Sequence, residues 1–583
     1  MMRWLDRHPG ALFAGLGTLV SILFLIKLWV SPDFLTDEAL YAQIGRNVWN
    51  TDALSFRTSA FIVHPPLDFL LTAGWERVTG TTSSPLLDAI RSVRVLSALL
   101  CGVTAAVTAA IARDVLVGRS DRVRTVGAVV AALLVATSGF MMAFGRMALI
   151  EPLAVAAGTT IVLVAHRMRH RPMAQQIVVL GLLIGTGTLV KQTVLFAAAA
   201  PFVAALLQRD RRRIVVGAGS ILVGAAVWAC FPLWAAINGH GGQFVDQETE
   251  SVQRLLGLVQ TTGVNLPTGS PTTQFTRTFL LYSSGYASFL VGGLALLVVL
   301  IRSGLFSRTR RPDDHSALLL GWGVLGYGFL LYSFAFGAGN QQLVVYAVPV
   351  AAVLCVALLL GGRPVDDLTG LPARDLLPEQ WVRTGPVRGR PLRRLTTVSA
   401  VVAGVLLLLG LGTYVGYYVV DSDDGTEQVA AYVQANVAPC VPINASGAGF
   451  RWETALPQNT VTNYRNGPRA LADGVHLYLL SPKDARYAYG TMSEGFATWI
   501  RENGQLLYQT PSRSSELLQL WSVGPVPTAP APGSSCLPTY PAPSATAPAG
   551  EFLGMFLATL GVVGAVGSAF IVRSNRRRVS RVG

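Results

Sequence analysis

Twelve apolar runs constrain this chain more than any other feature. They lie near residues 11–30, 92–112, 125–145, 151–166, 174–190, 192–207, 214–235, 276–301, 317–337, 342–361, 396–420 and 550–572. An α-helix needs about 20 apolar residues to cross the hydrocarbon core of a bilayer. The fourth, fifth and sixth runs are short, and their boundaries are free to shift by several residues. Only 13% of the 583 residues are charged, against roughly 25% in a soluble protein. The expected fold class is an all-α polytopic membrane protein with about 12 transmembrane helices. The first run lacks a small-residue cleavage site and reads as a retained anchor, not a signal peptide.

Arginine placement sets the expected orientation. With the N-terminus in the cytoplasm, the inner segments are 113–124, 167–173, 208–213, 302–316, 362–395 and the tail after 572. The first two hold Arg113, Arg119, Arg122, Arg124, Arg167, Arg169 and Arg171, and the tail holds Arg573, Arg576, Arg577, Arg578 and Arg581. The short outer turns offer only Arg146 and Lys191. This is the positive-inside bias, and it implies a multi-pass plasma-membrane protein with both termini cytoplasmic. The formal charge of +14 then follows from topology and anionic lipid. The bilayer is a partner and nucleic acid is not.

Three outer segments stand out by length: 31–91, 236–275 and 421–549. The last is large enough for a small domain. Within it, Gln428–Val433 reads as helical and His476–Leu480 as extended. Pro and Ala dominate 525–549, a stiff linker back to the membrane. The expected organisation has five parts. A transmembrane module covers 1–361, a basic cytoplasmic loop 362–395 and a transmembrane helix 396–420. A small α+β extracytoplasmic domain with its linker covers 421–549, and a last helix with a basic tail covers 550–583. Cys101, Cys230 and Cys355 fall in apolar runs, where a thiol behaves as a small hydrophobe. Cys440 and Cys536 share the third outer segment and are expected to form a disulfide there. No cysteine has metal-ligand spacing.

The chemistry gathers on the outer side. Thr36-Asp37-Glu38-Ala39-Leu40-Tyr41-Ala42 follows the first run, and adjacent carboxylates at a membrane surface are costly unless hydrated, paired or used. A helix from Asp37 to about Trp49 puts Asp37 and Tyr41 on one face, with Glu38 beside them. Ala39, Leu40, Ile44 and Val48 would hold that helix flat at the interface. Pro65 and Pro66 fix His64 in an extended segment. Glu151 opens the fourth helix just before Pro152, a place that suits an acid. Asp37, Glu38, His64, Arg146, Glu151 and Lys191 thus meet one membrane face. A carboxylate there can take the proton of an acceptor hydroxyl, and cations can stabilise a departing phosphate. Structural roles compete at each position. Asp37-Glu38 would cap a helix, Glu151 would pair with Arg146, His64 would bond backbone, Lys191 would snorkel, and Tyr346 would join an aromatic belt. Asp421, Asp423 and Asp424 read as the solvated start of the outer domain.

Several motifs occur in a telling order: Thr-Asp-Glu-Ala-Leu-Tyr-Ala at 36–42, Val-His-Pro-Pro-Leu at 63–67 and Gly-Arg-Met-Ala-Leu-Ile-Glu-Pro-Leu at 145–153. Leu-Val-Lys-Gln-Thr at 189–193 and Gln-Gln-Leu-Val-Val-Tyr-Ala-Val-Pro-Val at 341–350 complete the set. On these, over about residues 10–361, the chain resembles the GT-C glycosyltransferases. The likeness is to the group holding protein O-mannosyltransferases and lipid A aminoarabinose transferases. High Ala, Val, Arg and Gly with few lysines suits a bacterial, actinobacterial-type source. The resemblance implies an inverting transferase that uses a polyprenyl-phosphate sugar and not a nucleotide sugar. It makes Asp37 the catalytic base, Glu38 a group that orients the acceptor or Asp37, and Glu151 a second acid. His64 becomes a donor-phosphate contact, with Arg146 and Lys191 as further ones. Some relatives carry an arginine where this chain has Leu40, which leaves either Arg46 or nothing to supply that charge. Tyr41 and Tyr346 would position substrate. No obligatory metal is implied, and a divalent cation is left open. The implied donor sugar is mannose first and arabinose next. The implied acceptor is an envelope glycan, lipid or protein hydroxyl on the extracytoplasmic side. The rivals are a lipid-linked sugar transporter or flippase and a non-catalytic envelope-assembly scaffold; activity that survives loss of Asp37 would favour either.

Overall fold

The computed structural model describes residues 8–579 apart from 259–270, 304–310, 336–341, 362–389, 488–491, 514–515 and 527–546 and the single positions 34, 58, 257 and 448. A helix stands over each of the twelve apolar runs. Among the described residues, eight helices are long and apolar enough to cross a membrane by length and composition. The first helices along the chain are α1 Pro9–Leu25, α2 Thr36–Thr51, α3 Leu67–Thr79 and α4 Leu86–Val115. They continue with α5 Asp121–Ala136, α6 Gly139–Phe144, α7 Glu151–Met168 and α8 Met173–Val190. The third run is split between α5 and α6 at Thr137-Ser138, and a Ser-Gly pair is a common place for a helix to break. Here the break is also needed for space, because a Cβ on Gly139 would lie 2.5 Å from the carbonyl oxygen of Leu281. The sixth run is broken too, into Val194–Ala198 and Ala200–Gln208, with Pro201 in the first turn of the second piece. Most of the basic loop 362–395 lies outside the described residues.

The segment 31–91 holds a helical pair. α2 and α3 are joined through a two-stranded hairpin, β1 Ser55–Phe56 and β2 Ser59–Ala60. The helices touch at Gly45, where a Cβ would meet Thr72 Cγ2 at 2.6 Å, so the close approach requires glycine.

A sheet domain stands between the helix Arg390–Tyr414 and the last helix Ala549–Val579. Its five strands are β3 Pro442–Ala445, β4 Thr460–Thr462, β5 Leu477–Leu480, β6 Gln505–Ser512 and β7 Glu516–Ser522, in the order β4-β3-β5-β7-β6. β3 runs parallel to β4 and β5, while β7 runs antiparallel to β5 and β6. All four residues of β5 are buried, which marks a strand covered on both faces. Gln428–Val433 falls inside the helix Gly425–Asn436.

This domain is seated on the back of α2. Ala39 and Ala42 join Ile90, Val93 and Ala148 in one apolar cluster with Val429, Ile443 and Trp452 of the domain. A polar joint fixes the contact. The Oδ2 atom of Asp33 accepts from Thr426 Oγ1 at 2.9 Å, Ser512 Oγ at 3.1 Å and Arg451 Nη2 at 2.9 Å. Asp423 is buried and accepts the backbone N–H groups of Asp33 and Arg513. It is therefore a joint, not part of a solvated domain start. The last helix is stitched to the same loop: Leu54 N donates to Ala547 O at 2.8 Å, and Asp52 Oδ1 accepts from Gly550 N at 2.6 Å. Cys440 is disulfide-bonded, and Cys101, Cys230 and Cys355 are free and buried. Cys536 and most of the linker lie outside the described residues.

Candidate active site

α2 begins at Thr36 and carries Asp37 and Glu38 in its first turn, where the helix dipole favours acids. The two neighbours then part ways. Glu38 is fully buried. Its Oε1 accepts from Arg94 Nε at 2.7 Å and Ala148 N at 2.7 Å, and its Oε2 from Arg94 Nη2 at 2.8 Å and Leu35 N at 2.9 Å. Arg94 Nη1 reaches the carbonyls of Leu28 and Pro32. A carboxylate has about four lone-pair sites, and these four bonds fill them. The forked pair ties α2 to α4 and to the loop that leads into α7. Of the two expected roles of Glu38, orienting the acceptor or orienting Asp37, these bonds favour the second: it is a strut that holds α2.

Asp37 is half-buried. Burial, then the negative charges of Glu151 and Glu38, push its pKa up to about 6, against the opposing pull of Lys191 and a hydrogen bond from the Gln342 side chain. Glu151 is buried at the start of α7 and pairs with Lys191, the residue that ends α8. Asp68, in the first turn of α3, faces the same pair. Burial and the Glu151 charge push it up to about 7, with Lys191 opposing. Tyr41 lies one turn after Asp37, its hydroxyl 3.1 Å from His64 Nε2 and its ring packed on Phe69. Tyr346, on the turn Gln342–Ala347, lies beside Glu151 and Thr193. Among the described residues, Glu151 Oε2 and the Tyr346 hydroxyl are buried without a hydrogen bond of ordinary geometry. Orphaned buried polar atoms cost stability, and a site that awaits a polar ligand is a common reason to keep them. Among the described residues, no three His, Cys, Asp or Glu side chains converge in a way that could hold a metal ion.

An apolar groove of about 790 Å³ is bounded by α2, α3, α4, α7, α8 and the start of the last helix. Leu67, Leu70, Leu100, Leu153, Leu183 and Val190 line it. Leu67 and Val190, the chain neighbours of Asp68 and Lys191, belong to its wall.

A family model described as dolichyl-phosphate-mannose-protein mannosyltransferase matches residues 63–235, the stretch that holds His64, Asp68, Glu151 and Lys191. Two solved structures share the whole layout. The apo crystal structure of ArnT from Cupriavidus metallidurans is similar over 88% of this chain and 98% of its own, at 12% identity and a TM-score of 0.51. The archaeal oligosaccharyltransferase AglB from Archaeoglobus fulgidus, in complex with an inhibitory peptide and a dolichol-phosphate, is similar over 88% of this chain and 74% of its own, at 13% identity and a TM-score of 0.52. The fold is that of the GT-C glycosyltransferases. No curated protein matches the chain.

In this GT-C fold two expected phosphate contacts lie away from the acids. Arg46 is nine residues after Asp37, about 180° round the helix. Its Nη2 donates to Thr81 O at 3.1 Å, and its charge faces Glu76. Arg146 is fully buried, donates to Ile26 O and stacks on Tyr418 at 5.2 Å from the ring centroid. The turn between α6 and α7 sends Arg146 towards α1 while Glu151 goes to the cluster, so Lys191, not Arg146, is the partner of Glu151. Asp68, Gln342 and Arg94 join the site without being singled out by sequence. Arg94 left a signal, since a charge inside an apolar run calls for a buried partner.

Proposed function

We propose that the chain is an inverting transferase that moves a sugar from a polyprenyl-phosphate donor to a hydroxyl of the cell envelope, with Asp37 as general base. One observation carries the reading: the acid whose pKa is pushed up to about 6 stands between a saturated strut, Glu38, and an under-paired set of polar atoms. A base poised near neutrality is what proton abstraction from a hydroxyl needs. In the step, the acceptor proton passes to an Asp37 carboxylate oxygen. The acceptor oxygen bonds the anomeric carbon from the face opposite the phosphate, and the carbon–oxygen bond to phosphate breaks with its electron pair on phosphate. In this reading Lys191 supplies a cation and His64 a hydrogen bond to that developing charge. Glu151 holds Lys191 in place, and Tyr41 and Tyr346 position the sugar. The groove takes the isoprenoid chain, the class of ligand present in the AglB complex.

Mannose is the first donor to test because of the matching family model, and arabinose the second. The cluster and the seated sheet domain would face the extracytoplasmic side, where that domain holds the acceptor. Cys536 is the proposed partner of Cys440, the other three cysteines being free. The test is sugar transfer in nanodiscs from polyprenyl-phosphate-mannose and polyprenyl-phosphate-arabinose to crude envelope acceptors. Transfer by the wild type that is lost in Asp37→Ala supports the assignment. Equal transfer by both proteins removes Asp37 as base.

A further inference from the structure

We propose a second binding site, for a phosphate-bearing amphiphile, at the end of the helix bundle opposite Asp37. It stands apart from the transferase reading. α4 carries Arg94 beside the acids and Arg113 nineteen residues later, about 28 Å along the axis at 1.5 Å per residue. α7 likewise runs from Glu151 to His166 and Arg167. At this far end a cavity of about 610 Å³ is walled by Arg113, Arg124, Arg167, Arg169, His166 and His315, with Asp114 as its one carboxylate.

Each of these arginines has a neighbouring acid, and two of the acids are shared. Asp114 serves Arg167 at 2.9 Å. Arg113 and Arg124 share Asp121, at 3.6 and 3.5 Å, and its side chain is 61% exposed. Arg169 shares Asp314 with Arg213. Arg113 is itself buried and held by Thr125 Oγ1 at 2.7 Å. His166 and His315 lie with ring centroids 5.1 Å apart, and His166 Nε2 is 3.3 Å from Arg169 Nη1. The His315 Nδ1 atom is buried and, among the described residues, has no hydrogen-bond partner. A positive-inside bias alone spreads arginines over loops; here they converge on a concavity with two imidazoles.

The second half of the ligand is written in the adjoining cleft. His166 and Arg169 also line a narrow cleft of about 70 Å³, whose walls are the apolar Leu180, Ile184, Phe202, Val216 and Leu318 together with the polar Gln176, Gln208, Arg213 and Asp314. A phosphoryl head in the basic cavity can place the first few carbons of a hydrocarbon chain in that cleft, whereas a free phosphate fills only the first.

The test is native mass spectrometry of the full chain with phosphatidylglycerol and phosphatidylcholine. The double variant Arg124→Gln/Arg167→Gln removes two partly exposed charges. A control, Arg57→Gln/Arg501→Gln, makes the same charge change elsewhere. The wild type and control should retain phosphatidylglycerol preferentially. The double variant should lose about 30-fold of that preference, from ~1 kcal/mol per arginine towards anionic lipid. Equal retention of both lipids by the wild type, or equal loss in the control, overturns the site. Displacement of phosphatidylglycerol by millimolar inorganic phosphate overturns its amphiphile character.

Discussion

Glu38 and the pocket around Asp37 lie one residue apart and are built on opposite plans. The Glu38 carboxylate receives four hydrogen bonds, two from Arg94 and two from backbone. The pocket sets three acids, Asp37, Asp68 and Glu151, against one lysine. The first plan gives a strut that links α2 to α4 and adds its charge to the field at Asp37. The second keeps protons near neutral pH, the condition for acid–base work. Proximity in sequence says little about role here; the number of filled lone pairs says more.

The sharpest way to break this contrast is to neutralise each acid in turn. Asp37→Asn should lower transfer by about 10³-fold, within the 10²–10⁴-fold range of a general base, without lowering Tm. The sign follows from the raised pKa. Ionising Asp37 weakens folding progressively from pH 3.8 to about 6, and the cost persists at neutral pH, so a neutral isostere loses nothing. Glu38→Ala should do the reverse and destabilise by about 3–5 kcal/mol, because it leaves Arg94 buried and unpaired. A Glu38→Met/Arg94→Met pair should recover most of that in a thermal melt. Lys191→Met should move the acid limb of the rate profile above pH 6, because Lys191 holds the Asp37 pKa down. The smallest effect is expected from Arg46→Gln, less than about twofold in rate, since its guanidinium serves the Thr81 carbonyl outside the pocket.

The helices were legible because a membrane span is a local pattern of length and polarity. Asp37, Glu151 and Lys191 were legible because each ends or begins a helix on one side of the bundle. The partners were not. Arg94 meets Glu38 from 56 residues away and Ala148 from 110, separations that leave no periodic trace. Asp68 stood in view in His64-Pro65-Pro66-Leu67-Asp68, but its burial against Glu151 depends on how α3 packs on α7 and α8. Arg46 was misplaced although its phase on α2 puts it opposite Asp37. Asp423 looked solvated in an acidic run, and tertiary packing made it a joint.

The measurement that tests the account most directly is the pH dependence of kcat/KM for sugar transfer, in the wild type and in Glu151→Gln. The account predicts an acid limb with a midpoint near 6, falling about tenfold per pH unit below it. It predicts a lower midpoint in Glu151→Gln, because the Glu151 charge raises the Asp37 pKa. A profile flat between pH 5 and 7, or a midpoint that ignores Glu151, would contradict Asp37 as the base.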